Sequence, residues 1–288
     1  SISASDVSNL RQMTGAGMMD CKTALDEAEG NIEKAAEILR KKGIIKAGKR
    51  AGKIAAEGTV NVKVDGNTAV VLEINSETDF VAKNEDFKQV VVKMTDFVLA
   101  QKLNNVEDIL KQEMEGKKVE EYLTEVTVKI GEKISLRRVV VLEKTDNEAF
   151  GAYIHMGGKI GTLVVITNST DQDMARDIAM HAAAANPKYL DSSKVPAEVI
   201  DKEKEVYTEQ LKNEGKPENI IENILKGKIN KFYGEVCLIE QPFIKDDKKK
   251  VKEILSDNSE VKEYVRFELG EGIEKKSSDF AAEVQEQM

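Results

Sequence analysis

The sequence is poor in aromatic residues and has no long apolar run. Tryptophan is absent from its 288 residues, and all aromatic residues together make up only 5% of the chain. Apolar residues still reach 41%, so a core can form, but Val, Ile, Leu and Ala must build most of it. No apolar run approaches the roughly 18 residues of a membrane-spanning helix, so we expect no transmembrane segment and no membrane partner. Residues Ser1–Asp6 lack a basic region followed by an apolar stretch, so we expect no secretory signal there.

Cysteine and histidine, which often carry catalysis or bind metals, are also scarce. Cys21 and Cys237 are too few for a disulfide framework or a zinc site, so a reducing cytoplasm is the expected compartment. The only histidines are His155 and His181, and no HExxH, CxxC, GxSxG or P-loop pattern occurs. Acidic pairs are common but have no placed acid–base partner. We therefore expect no catalytic residue, metal site or cofactor, and a protein that acts by binding and is not an enzyme.

The charge is acidic overall but unevenly distributed. The chain carries 52 Asp and Glu against 43 Lys and Arg, a formal net charge of −9. Nonspecific nucleic-acid binding by the whole chain is disfavoured, because neutralising phosphates needs clustered basic charge. Residues 40–53 differ, since they include seven basic residues and no acidic one. This stretch is either a flexible, solvated linker or a contact with an acidic partner or RNA.

Residues 1–53 are predicted to form a small three-helix module followed by that basic linker. Val7 and Leu10 mark a first helix, and apolar residues recur at helical spacing in Cys21–Ala28 and again in Ile32–Leu39. Three short helices make a marginal domain, which favours a docking module over an enzyme.

The remainder is predicted to be α+β, with a core of two similar ββ-helix-β subdomains that carry antiparallel sheets. In residues 54–144, two period-two segments flank a turn at Asp65–Asn67 and are followed by a helix and a further strand. Residues 145–272 repeat this plan. The two copies resemble each other residue by residue at Leu72–Ser76 and Val165–Ser169.

The first copy carries a longer loop and additional helical segments. The loop between its strand and its helix is about eight residues long, 77–84, whereas the corresponding loop of the second copy is about four residues long. Phe80 lies in that loop among polar neighbours. It either folds back onto its own core or is an exposed anchor for a partner pocket. Beyond the helix that Asn84 begins, further helical patterns are predicted near 105–114 and 117–130.

The second copy contains an insertion of charged, helical character at residues 196–232. Asn213–Pro217 divides it into two helices, each with a thin apolar stripe. Thin stripes favour a coiled-coil hairpin that projects from the body over a helix pair that lies flat on the sheet. The stripe residues are Ile200, Tyr207, Leu211, Ile221, Leu225 and Phe232.

Two segments carry recognisable motifs. Thr14–Lys22, TGAGMMDCK, and Glu77–Asn84, ETDFVAKN, resemble the two signatures of the translation elongation factor Ts family. The resemblance continues in the same order over nearly the whole chain. The further matching motifs are at residues 129–132, 155–161, 234–236, 241–243 and 266–275.

The resemblance implies a guanine nucleotide exchange factor. Its partner would be elongation factor Tu, a P-loop GTPase that carries aminoacyl-tRNA. The exchange factor would lower the affinity of that GTPase for GDP and magnesium without binding nucleotide itself. The resemblance also implies a ubiquitin-associated-like fold at the N-terminus, a coiled coil in the insertion and a C-terminal helical module at 273–288. Direct nucleic-acid contact is not expected, and a two-plus-two assembly of the complex is left open.

The resemblance further implies which residues contact the GTPase. Phe80, in the motif Thr78–Val81, would insert between helices of the GTPase near its magnesium site, and Asp79 would help to hold the contact. Met18 and Met19 are contact residues in this interpretation, whereas the alternative places them in the core of the three-helix module. The other implied contact residues are Arg11, Ile130, Gly131 and His155.

Two other classes of function remain as alternatives. An RNA- or ribosome-binding protein would use the basic residues 40–53, and its RNA binding would depend steeply on salt. An enzyme with a concealed site would lose its activity when His155 is replaced. Both alternatives leave the ordered series of motifs unexplained.

Overall fold

The computed structural model describes residues 2–14, 16, 18–39, 41 and 53–273. Most of the predicted basic stretch at 40–53 and nearly all of the predicted C-terminal module at 273–288 lie outside the described residues. The protein is α+β, and its antiparallel strand pairs include three hairpins, at residues 113–118, 149–166 and 242–250. Among the described residues, no helix is both long and apolar enough to cross a membrane.

The chain divides into two compact units. The first contains the described residues up to Asn61, Leu72–Val140 and the described residues from Glu268 onward. The second contains Val62–Val71 and Val141–Phe267.

Three short helices begin the first unit: α1 (Ala4–Thr14), α2 (Met18–Glu27) and α3 (32–39). Ser3 and Asp6 start α1, because the Ser3 hydroxyl accepts the Asp6 N–H and the Asp6 carboxylate accepts the Ser3 N–H. The core of this module is formed by residues of the apolar stripes that were predicted for the three helices. This small core consists of Val7, Leu10, Cys21, Ala24, Leu25, Ala28, Ala35 and Leu39.

The first sheet is built on a long hairpin. Strands β1 (Glu57–Asp65) and β2 (Thr68–Ser76) form it, and β5 (Ser135–Glu143) lies on the other side of β2. All of β2 is buried, including its four polar residues, because it is the central strand of the sheet.

The main helix of the first unit is α5 (Glu85–Gln101). It begins at the predicted cap, where the Asn84 side chain accepts the Asp86 N–H at 2.7 Å. The Asn61 amide of β1 donates to the Thr95 hydroxyl at 2.9 Å, which ties the helix to the sheet. Its buried face includes the predicted residues Phe87, Val90, Val91, Met94 and Val98.

The two helices predicted near 105–114 and 117–130 are shorter than expected. They are α6 (Val106–Lys111) and α7 (Val119–Ile130), separated by the two-residue strands β3 (Glu113–Met114) and β4 (Lys117–Lys118). The helical prediction is wrong for residues 113–114 and 117–118, because Glu115 and Gly116 between them, with φ of 53° and 80°, both adopt the left-handed conformation. Two such residues make a hairpin turn and interrupt a helix.

The second sheet repeats the strand order of the first. β6 (Ala149–His155) pairs antiparallel with β7 (Ile160–Ile166), and β10 (Val261–Glu268) lies on the other side of β7. Helix α8 (Gln172–Ala185) packs closely on this sheet. A Cβ at Gly151 would lie 1.9 Å from the Ala175 carbonyl oxygen, so only glycine allows this approach.

The insertion in the second unit is a helical hairpin of α9 (Ala197–Asn213) and α10 (Glu218–Val236). It extends four residues beyond the predicted end at residue 232. Only Leu211 of α9 and Ile221 and Ile229 of α10 are buried, which is a thin seam for helices of this length. The short strands β8 (Pro242–Phe243) and β9 (Asp246–Lys250) follow it and were not anticipated from the sequence.

Candidate partner-binding site

The segment between β2 and α5 is a single helical turn and not the predicted loop. Thr78 caps α4 (Asp79–Ala82), and its hydroxyl accepts the Val81 N–H at 3.3 Å. The turn forms because threonine is a good N-cap and Asp79 places a negative charge in the first turn of the helix. Lys83 ends α4, and Asn84 then begins α5.

This turn presents Phe80 to solvent. With 79% of its surface accessible, Phe80 is the most exposed large apolar residue among those described. The alternative that Phe80 folds back onto its own core is therefore wrong. Beside it, Thr78, Asp79 and Val81 are half-buried. The Asp79 carboxylate accepts a hydrogen bond from the Lys83 ammonium at 3.0 Å.

One carboxylate connects the turn to the chain after α7. The Oε2 atom of Glu132 accepts the N–H groups of Glu77 and Thr78 at 3.1 and 3.0 Å, and its Oε1 atom accepts the Thr78 hydroxyl at 2.7 Å. In return, the Glu77 carboxylate accepts the Lys133 N–H at 2.7 Å. We call these four bonds the Glu132 clamp.

The clamp brings two further predicted residues, Ile130 and Gly131, to the turn. Gly131 ends α7 with φ of 86° and donates its N–H to the Thr127 carbonyl oxygen. This left-handed conformation favours glycine and turns the chain so that Glu132 reaches the turn. Ile130 is half-buried and lines a groove of about 410 Å³ between α5 and α7.

The predicted contacts on the N-terminal helices are exposed. Met18 is 58% and Met19 73% accessible, whereas Cys21 and Leu25 of the same helix are completely buried. The alternative that Met18 and Met19 belong to the core of the three-helix module is therefore wrong. Arg11, in the last turn of α1, is also exposed.

His155 belongs to the second unit, at the end of β6. It is half-buried, and its Nδ1 atom lies 3.0 Å from the Tyr153 hydroxyl oxygen. Its neighbours Ile154 and Met156 are exposed. The structure thus joins Thr78–Val81 to Ile130 and Gly131. The other four candidates lie elsewhere, on α1 (Arg11), α2 (Met18 and Met19) and β6 (His155).

His181 is packed inside the second unit. It is buried on α8, where its Nε2 lies 2.9 Å from the Gln241 amide oxygen and its Nδ1 accepts the Ile244 N–H at 3.1 Å. Burial lowers the pKa of His181, and the bond to Gln241 only partly opposes this. The imidazole is therefore held neutral as a structural group.

The cysteines offer no reactive site. Both are buried, and burial, with a contribution from Asp191 and Glu240, raises the pKa of Cys237 to about 11. Within residues 2–14, 16, 18–39, 41 and 53–273, no group of three or more His, Cys, Asp or Glu could hold a metal ion.

Sequence reasoning missed a buried ion-pair network around Glu73, in the centre of β2. Its carboxylate accepts bonds from the Arg138 Nε at 2.6 Å, from Arg137 at 3.2 Å, and from the Asn75 amide and the Gly270 N–H at 2.9 Å each. Burial alone would raise the pKa of Glu73, but the bonds from Asn75, Gly270 and Arg138 outweigh it and lower the pKa. The signal was present as one glutamate inside an apolar strand.

Comparison with known protein families assigns the chain. A family model described as elongation factor TS matches residues 77–271, which is more than half of the chain. The molecule is therefore a translation elongation factor. It belongs to the elongation factor Ts family, as its two motifs indicated, and the match begins at Glu77, the first residue of the clamped turn.

Proposed function

We propose that this protein is the guanine nucleotide exchange factor of elongation factor Tu. It binds the GTPase in its GDP form and promotes GDP release by disturbing the magnesium and phosphate site. The observation that carries this proposal is the exposure of Phe80, at 79%, on a turn held by the Glu132 clamp. An apolar ring so exposed on a fixed turn is suited to insertion into a partner.

The energy available from one ring sets how much exchange it explains. Burying an aromatic side chain is worth roughly 1.5–3 kcal/mol. Each tenfold in release rate needs about 1.4 kcal/mol. Phe80 therefore accounts for one or two decades of acceleration, and the remainder comes from Asp79, Ile130, Gly131, His155 and the N-terminal contacts. The protein lowers the affinity of the GTPase for GDP by some factor, and by linkage GDP lowers the affinity of the GTPase for the protein by that same factor.

The same proposal covers the architecture and setting of the protein. The shared strand order of the two sheets supports two similar subdomains, at 54–144 and 145–272. The thin seam of α9 and α10 supports a coiled-coil arm. A docking module at 1–53 and a C-terminal module at 273–288 complete the plan. The factor works in the cytoplasm, performs no catalysis, binds no nucleotide, and pairs with the GTPase singly or two with two.

Release of labelled GDP from elongation factor Tu tests the proposal. We expect the protein to accelerate release, and Phe80→Ala to lose tenfold or more of that acceleration while it still binds the nucleotide-free GTPase. The substitution should leave the melting temperature unchanged, because the ring is exposed. The matched control is Phe87→Ala, which removes a completely buried ring and should cost about 3–5 kcal/mol of stability.

Two results would contradict the proposal at different levels. No acceleration by the unaltered protein would exclude exchange as its function. Full acceleration by a well-folded Phe80→Ala variant would exclude insertion of the ring but not exchange itself.

A further inference from the structure

The orientation of Phe80 needs a physical cause, because α4 cannot supply it. The helix has four residues and buries none of its side chains completely. A helix this short is not stable by itself, and little packing holds it in place. The candidates for holding its direction are therefore the hydrogen bonds of the two residues that precede it, Glu77 and Thr78.

Three of those bonds converge on Glu132, and the Ser76 hydroxyl donates a separate one to the Thr78 carbonyl oxygen at 2.9 Å. The two carboxylate oxygens of Glu132 accept three donors from Glu77 and Thr78. The Thr78 hydroxyl gives its only proton to Glu132 at 2.7 Å, so its lone pairs face the Val81 N–H, which it accepts at 3.3 Å. Glu132 thus fixes the hydroxyl that in turn caps α4.

We propose that Glu132 is a positioning residue for nucleotide exchange, which acts by holding the Phe80 turn in its binding-competent direction. This inference rests on the proposed function. Glu132 itself need not touch the GTPase. It links the turn to Ile130 and Gly131, so that both parts of the predicted contact face move as one piece.

The absence of tryptophan gives a direct measurement of the turn without any partner. Phe80→Trp places a single indole on α4, and its fluorescence anisotropy reports how freely the turn moves. We expect Glu132→Ala and Thr78→Val, each combined with Phe80→Trp, to lower the anisotropy. Thr78→Ser keeps the hydroxyl and should preserve it. Glu120→Gln, an exposed acid on the same stretch of chain, is the control and should change nothing.

The second measurement is GDP release in the Phe80 background. Glu132→Ala and Glu132→Gln should lower the maximal acceleration about tenfold, while affinity for the nucleotide-free GTPase changes less than threefold. Thr78→Val should lower the acceleration in the same direction. Adding it to Glu132→Ala should cost less than it does alone, because Glu132→Ala has already removed the bond from the Thr78 hydroxyl to the carboxylate. Thr78→Ser keeps the hydroxyl and should accelerate GDP release as fully as the unaltered protein does.

The outcomes separate this inference from the proposed function. Unchanged anisotropy in Glu132→Ala would overturn the positioning role whatever the exchange rate. Lowered anisotropy with full acceleration would overturn it as well. If the unaltered protein accelerates nothing, the function fails, while the anisotropy still decides whether Glu132 holds the turn. Should Glu132→Ala fail to fold, Glu132→Gln and Thr78→Val supply the same comparison.

Discussion

At the scale of single residues, exposure decides between the interpretations that the sequence leaves open. For Phe80, Met18 and Met19, a core position and a contact position were both consistent with the pattern. The structure exposes all three, at 79%, 58% and 73%. Sequence spacing could not settle this, because whether an apolar residue is covered depends on tertiary neighbours. The one useful hint was the extra length of the segment around Phe80.

The two exposed methionines lead to a prediction at this scale. We expect the double variant Met18→Ala, Met19→Ala to fold normally and to bind elongation factor Tu at least tenfold more weakly. Flexible thioether side chains make adaptable apolar contacts, and about 1.4 kcal/mol corresponds to a tenfold change. Calorimetric titration of the nucleotide-free GTPase measures the affinity, and circular dichroism checks the fold.

A residue from the same helix supplies the control for that variant. Leu25→Ala removes a completely buried side chain and should destabilise the N-terminal helices by about 2–5 kcal/mol. An affinity unchanged by the methionine variant would exclude these side chains as contacts.

At the scale of elements, long periodic segments were predictable and short ones were not. The apolar face of α5 follows directly from its period of 3.6 residues, and the buried strand β2 follows from its apolar run at residues 69–72. The turn α4 and the hairpin of β3 and β4 depend on one cap or one pair of left-handed residues, where few local contacts compete. A hydrophobic pattern, which needs many residues to show a period, does not predict elements this short.

The helical hairpin of α9 and α10 should be separable from the second unit. Its few buried residues, Leu211, Ile221 and Ile229, lie within the hairpin itself. The C-terminal end of α10, where the hairpin joins the rest of the second unit, is held by two hydrogen bonds. The Lys188 N–H donates to the Val236 carbonyl oxygen, and the Gln241 amide donates to the Glu235 carbonyl oxygen.

Replacing Asp201–Lys231 by a short linker should therefore change the melting temperature by less than about 4 °C, which corresponds to about 1 kcal/mol. Exchange should fall only in part, because the Phe80 turn is untouched. The control is Leu238→Ala, at a completely buried position just after α10, which should lower the melting temperature clearly. A collapse of the remaining fold after excision would show that the hairpin packs on the body.

At the scale of the whole molecule, the Glu73 network joins segments that are distant in sequence. Arg137 and Arg138 of β5 are 64 and 65 residues from Glu73, and Gly270 is 197 residues away. Arg138 also donates to the Glu268 carbonyl oxygen at 2.8 Å, and Arg137 to that of Glu271. Local patterns predicted the strands, and the family resemblance drew attention to the motif at residues 266–275. They could not predict that one buried carboxylate would hold these parts together.

This network predicts how stability depends on pH. The pKa of Glu73 is lowered on folding from its ordinary value of 4.5, so its contribution is complete above that value. It is lost as the pH falls through the lower pKa of the folded protein. At about pH 7, Glu73→Gln should cost roughly 3 kcal/mol, because two arginines lose a buried partner. Below about pH 4.5 the difference from the unaltered protein should shrink, because Glu73 of the unfolded chain then becomes protonated while the folded protein still holds it ionised. Urea unfolding across this range measures it, and His181, common to both proteins, cancels in the difference. A difference that stays constant across this range would mean that folding does not lower the pKa of Glu73.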